Sequence, residues 1–205
     1  MSCPLREIVL RFSGLGFDKL NQRSRLASSS RTKEFPLQIN KQTLKEDGFS
    51  GFRSFKELDI NRVPQAPGIY AVLKPEGFER LFLAKSVGGR FKKRDPSMLQ
   101  AALEAEWIED ADVLYVGKAG PGSTGNRGLR KRIQEFVDFG RGKPVGHWGG
   151  RLIWQLANSQ SLIIAWKELA ASEVNAAEAA YHSEFISVYG RLPFANLVQA
   201  RAKGV

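Results

Sequence analysis

The sequence predicts an α/β fold, a small central β-sheet flanked by helices, and three patterns carry that prediction. Pro67–Leu73 and Val113–Lys118 are short apolar runs that begin or end at glycine and have the length and β-branched or aromatic content of strands. A Gly-rich turn after the second run leads into Gly128–Ile133, whose charges and leucine/isoleucine spacing suit a helix. Ser172–Tyr189, rich in alanine, reads as a second helix with Gly190 as its stop.

Three segments organise the chain. Residues 1–60 form a basic N-terminal extension, partly irregular, in which Ile8–Phe12 has the pattern of a strand and Gln22–Lys33 that of a loop. It suits a solvated tail as well as a nucleic-acid-binding arm. Residues 61–198 form the main domain, with an insertion at about 80–110, and 199–205 are a basic tail. Phe55, Leu58 and Ile60 lead through Val63-Pro64 into the first strand.

Within the insertion, Leu81–Ala84 has the pattern of an edge strand, and Lys85–Arg94 gathers Lys85, Arg90, Lys92, Lys93 and Arg94 around two glycines and Phe91. Phosphate contacts plus a stacking ring would use that composition, and so would a solvated loop. Met98–Trp107 is helix-like, with acidic Glu104, Glu106, Glu109 and Asp110 gathered before the second strand, a face expected to point away from a polyanion. Leu152–Leu156 and Leu162–Trp166, joined by Asn158-Ser159-Gln160, read as a hairpin.

Composition narrows the chemistry. A chain of 205 residues buries one substantial core, and 31 Lys+Arg against 21 Asp+Glu give a net charge of +10, which suits an anionic partner. Cys3 is the only cysteine, which excludes an intrachain disulfide and a cysteine zinc site, and His147 and His182, the latter expected on a helix surface, are too few for a histidine cluster. One hard divalent cation, Mg²⁺ or Mn²⁺, held by carboxylate and phosphate oxygens is the metal chemistry left open. No apolar run approaches the roughly 20 residues of a bilayer span, so no membrane partner and a cytoplasmic setting are expected.

Hydrolysing a phosphodiester takes an activated water, positive charge on the non-bridging oxygens and help for the leaving oxygen. Tyr70 and Tyr115, near the ends of adjacent strands, supply hydroxyls, and a nearby cation would lower their pKa. Arg132 can clamp a phosphate bidentately, and Glu178 can bind a divalent cation. The tyrosine, lysine and arginine at the strand end and on the first helical turn are expected to form a phosphate site.

Gly68-Ile69-Tyr70 and Tyr115-Val116-Gly117, in that order and with the Leu129-x-x-Arg132 spacing after them, resemble the two signature halves of the GIY-YIG nuclease family. The similarity covers roughly residues 63–198. It implies a small mixed sheet flanked by helices, a DNA endonuclease activity and one Mg²⁺ or Mn²⁺ ion. By resemblance Tyr70, Tyr115, Arg132, Glu178 and Asn196 form the site, and Lys118 matches a lysine that some members carry. Some members place a histidine one turn after the arginine; this chain has Phe136 there, leaving His147 or a tyrosine to compensate. Glu184 is the alternative metal ligand. Arg127, Arg130 and Arg151 join Lys85, Arg90, Lys92, Lys93 and Arg94 as expected contacts to the nucleic acid, DNA first and RNA as an alternative.

Two other readings stand beside this one. Gly120–Gly125 matches G-x-G-x-x-G, but Pro121 and the absence of successive strand-helix-strand units oppose a dinucleotide site. A non-catalytic nucleic-acid-binding module that keeps the same fold is the stronger rival. Sequence leaves oligomeric state and substrate specificity open.

Overall fold

The computed structural model describes residues 38–200 apart from Thr124 and Asn126, all within the compact unit Phe35–Val205. Ile8–Phe12 and Gln22–Lys33 lie outside the described residues, as do residues 201–205 of the tail. The elements are α1 (Lys41–Glu46), β1 (Ser50–Ser54), β2 (Gly68–Leu73), α2 (Gln100–Glu106), β3 (Val113–Ala119), α3 (Leu129–Gly140), β4 (Ile163–Glu168) and α4 (Val174–Tyr189). No helix among the described residues is long and apolar enough to cross a membrane.

The chain has an α/β fold built on one four-stranded sheet in the order β1-β4-β2-β3. Every pairing in it is antiparallel, so the mixed sheet that the resemblance implies is not what forms. β1 falls within the segment expected to be an irregular extension, and it pairs antiparallel with β4. Strand alternation is hidden in β1 because its register shifts between Ser50 and Arg53. The folded domain therefore begins upstream of residue 61, with α1 capped by the Asn40 side chain.

The expected hairpin is also corrected. Leu152–Leu156 is buried along its whole length, but Arg151–Gln155 winds as a 3₁₀ turn, and only Leu156 makes a strand-like bridge, to Phe82. A short apolar run cannot by itself distinguish a buried strand from a buried turn. Both edges of β4 are already occupied, by β1 and β2. Gln155 fills its amide with backbone of the insertion, accepting from Met98 N–H at 2.8 Å and donating to Met98 and Leu83 carbonyls at 2.8 and 3.0 Å.

Two cores sandwich the sheet. Tyr70, Val72, Ile164 and Trp166 face α3 and the 3₁₀ turn, whereas Ile69, Ala71, Leu73 and Ala165 face α4 and α1. Leu114 and Tyr115 are consecutive yet both belong to the first core, because β3 bulges where Val72 pairs with Tyr115 and Leu73 with Val113. On the other face α4 ends at Gly190, which takes the left-handed conformation with φ +73°.

Glycine at two positions is a packing requirement. Tyr70 pairs with Gly117 across β2 and β3, and a Cβ on Gly117 would stand 2.6 Å from Tyr70 Cζ and 2.7 Å from its hydroxyl oxygen. At Gly68 a Cβ would meet the Lys167 carbonyl oxygen at 2.1 Å. Overpacking of this kind costs about 1–3 kcal/mol. Gly117→Ala is expected to lower the urea-unfolding free energy by that amount, while Gly120→Ala, which meets open space, shifts it by less than about 0.5 kcal/mol.

Candidate active site

α3 is fixed to the start of β2 before any functional group is considered. Its first free N–H groups are taken up by the preceding loop, Leu129 donating to the Ala66 carbonyl and Arg130 to that of Pro64, each at 2.9 Å. Arg130 adds side-chain bonds to the carbonyls of Val63 at 2.7 Å and Asn61 at 2.9 Å. Two N–H groups of the helix terminus are thus spent internally, and the phosphate site expected there rests on its side chains.

Those side chains meet along the outer edge of β3, where a cleft of about 760 Å³ is lined by Tyr115, Lys118, Arg132, Trp148, Arg151 and Glu178, among others. Arg132 projects from α3 with its guanidinium 3.3 Å from the Gly146 carbonyl and 3.5 Å from Glu135. Glu178 comes from α4, and its Oε2 lies 2.7 Å from Lys118 Nζ on β3. Glu184, six residues further round the same helix, is exposed and not among the lining residues; at 100° per residue it faces elsewhere.

Behind Tyr115 lies a buried aromatic cluster. Tyr70 is fully enclosed, with its ring 5.9 Å from that of Tyr115 and its hydroxyl 3.3 Å from His147 Nε2. Phe136 stacks on His147 with ring centroids 4.3 Å apart. The imidazole arrives from the loop after α3, and Phe136 on the helix forms its platform. His147 is itself fully buried, and its Nδ1 has no hydrogen-bond partner among the described residues.

Burial dominates the electrostatics here. It pushes the Tyr70 phenol well above its ordinary value of 10.0, aided by Tyr115, and raises that of Tyr115 although Arg132 opposes the shift. The lowering expected from a nearby cation is therefore outweighed, and both phenols stay protonated at neutral pH. Burial, then the Arg132 charge, drives His147 well below 6.5 and keeps its imidazole neutral.

Several expected site residues are committed to structure. Asn196 accepts from Val116 N–H at 2.8 Å and donates to its carbonyl at 2.7 Å, so it grips the edge of β3. Arg127 is paired with both oxygens of Glu135 at 2.7 and 2.5 Å, and Arg90 with Asp95 at 3.0 Å. Lys85, Lys92 and Lys93 are exposed but do not line the cleft. Arg94 and Arg151 both lie against Trp148, with guanidinium carbons 4.7 and 4.8 Å from the ring centroid.

His182 escaped the sequence reading. Expected on the helix surface, it is buried in the wall of the cleft, one turn after Glu178, and its Nδ1 accepts from Ala200 N–H at 2.9 Å. The i, i+4 spacing of Glu178 and His182 was the available signal. Among the described residues no group of three or more His, Cys, Asp or Glu could hold a metal. Glu178 is then the carboxylate on which a hard cation would sit, with phosphate and water oxygens completing its shell, and such an ion must share or displace the Lys118 ammonium.

No family model matches the chain, and no curated protein or solved structure does either.

The neutral burial of His147 sets a pH dependence. Below about 6.5 an unfolded histidine takes up a proton that the folded one refuses, so stability present above that pH is lost as pH falls. Urea midpoints between pH 7.5 and 5 should fall less steeply in His147→Gln than in the wild type. Equal slopes would contradict a buried neutral imidazole.

Proposed function

We propose that this protein is a metal-dependent endonuclease of the GIY-YIG type that hydrolyses phosphodiester bonds, with DNA as its leading substrate. One observation carries the proposal: Tyr115, Lys118, Arg132 and Glu178, from three separate elements, line a single cleft, with Tyr70 and His147 immediately behind it. Coupling between a clamp for phosphate, a carboxylate for a cation and neutral hydroxyls is what phosphodiester hydrolysis requires.

In this reading each residue has a physical task. Arg132, partly buried yet open to the cleft, binds the non-bridging oxygens in a low-dielectric wall where its charge counts for more than in water. Tyr115 presents a protonated hydroxyl that orients the attacking water or a phosphate oxygen. Tyr70 and His147 are positioning residues: they touch no substrate, and they hold Tyr115 in place through the packed rings. Lys118 neutralises charge near the phosphate and pairs with Glu178. A divalent cation on Glu178 would supply Lewis-acid stabilisation of the phosphate oxygens. Asn196 keeps the strand carrying Tyr115 and Lys118 in position through Val116.

The test is nicking of supercoiled plasmid by the full chain in Mg²⁺ or Mn²⁺ against EDTA. Metal-dependent nicking is expected, reduced about 100-fold or more in Arg132→Ala and Glu178→Ala and unchanged in Glu184→Ala. Normal cutting by the first two variants would overturn this assignment. Salt-sensitive binding of nucleic acid with no cutting under any metal would instead identify a binding module that retains the fold.

A further inference from the structure

The wall of the cleft opposite α4 is built around Trp148. Its half-buried indole follows directly on His147 and precedes Gly149, at which a Cβ would lie 3.3 Å from the Tyr115 hydroxyl. The ring therefore stands beside the proposed reaction centre. Two guanidiniums rest against it: Arg151 from the 3₁₀ turn and Arg94 from the basic insertion.

Among the described residues neither Arg94 nor Arg151 forms a salt bridge with a carboxylate, whereas Arg90, Arg127 and Arg132 all do. The Arg151 guanidinium donates to the Met98 sulfur, at 3.8 Å. Burial and the proximity of Arg94 both act against the Arg151 charge. Two like charges gathered on one aromatic ring, without an acid to balance them, call for an anion and a flat partner together.

A nucleotide offers both: a phosphate that draws a guanidinium off the ring, and a base whose π-face takes its place on the indole. In an intact duplex the base faces are hidden inside the stack, and only an unpaired, terminal or extruded base can present one. We infer that Trp148, flanked by Arg94 and Arg151, is a base-stacking subsite that selects nucleic acid carrying an unpaired nucleotide next to the cleaved phosphate. The inference rests on the nucleic-acid reading of the cleft. It adds the substrate class, single strand or a junction with single-stranded arm, in place of plain duplex.

Binding in EDTA separates this inference from the question of cleavage. Fluorescence anisotropy of the full chain with a labelled single strand, the same sequence as blunt duplex, and that duplex with a single-stranded flap provides the comparison. The wild type should bind single strand and flap about tenfold more tightly than duplex. Trp148→Ala should lose about tenfold on those two and less than about twofold on duplex. Trp148→Phe, which keeps a ring, guards against misfolding: it should retain most of the preference, while the tryptophan quenching that single strand causes in the wild type disappears. Equal wild-type affinity for all three ligands, an equal loss on all three in Trp148→Ala, or quenching that persists in Trp148→Phe would each overturn the subsite. Plasmid nicking by a wild type without this preference would leave the nuclease reading standing and the subsite refuted.

Discussion

The close approach of the Tyr70 ring to the backbone at Gly117 is the contact on which the rest of the structure depends. It brings two antiparallel strands together around a phenol that is completely removed from water. Phe136, Tyr115 and His147 close around that phenol within 6.4 Å between ring centroids, so α3 and the loop after it are aligned by the same side chain. Burying a hydroxyl is costly unless it finds a partner, and the His147 nitrogen provides one. The same burial that secures the fold holds both phenols protonated.

Geometry around this contact explains how residues scattered along the chain share a cleft. The loop before β2 caps α3, which fixes Arg132 relative to Tyr70. β3 carries Tyr115 inward and Lys118 outward at the sheet edge, where α4 brings Glu178 to meet it. The insertion is not an appendage: Gly89 donates to the Phe139 carbonyl at 2.8 Å, and its backbone lies so close to Lys143 that a Cβ would be 1.8 Å from that carbonyl oxygen. It thereby supports the loop that delivers His147 and Trp148.

Much of this was legible in sequence, for reasons that differ by element. β2, β3, α3 and α4 announce themselves because glycine punctuation and apolar periodicity agree, and the Gly-Ile-Tyr and Tyr-Val-Gly tripeptides meet at one pair, Tyr70 with Gly117, once the strands pair. Glu178 is favoured over Glu184 already in sequence, and the helix face adds that Glu178 lines the cleft while Glu184 does not. β1 was obscured by its bulge, and Arg151–Gln155 by an apolar run that suits a strand as well as a buried turn. Arg127 and Arg130 look like phosphate ligands in sequence, yet Glu135 and two backbone carbonyls hold them, partners that no local pattern reveals. His182 was misread because the alanine-rich helix shows no clear polar and apolar faces, which hides where it turns inward.

The grip of Asn196 on Val116 has a consequence beyond the cleft. β3 is the last strand of the sheet, and an open strand edge is a template on which another chain can add itself. A carboxamide has the donor and acceptor of a peptide group, so this one side chain completes the ladder where a fifth strand would otherwise dock, with Ala195 N–H adding a bond to the Leu114 carbonyl at 2.8 Å. A single asparagine thus acts as a terminator of sheet growth, and it does so on the strand that carries Tyr115 and Lys118.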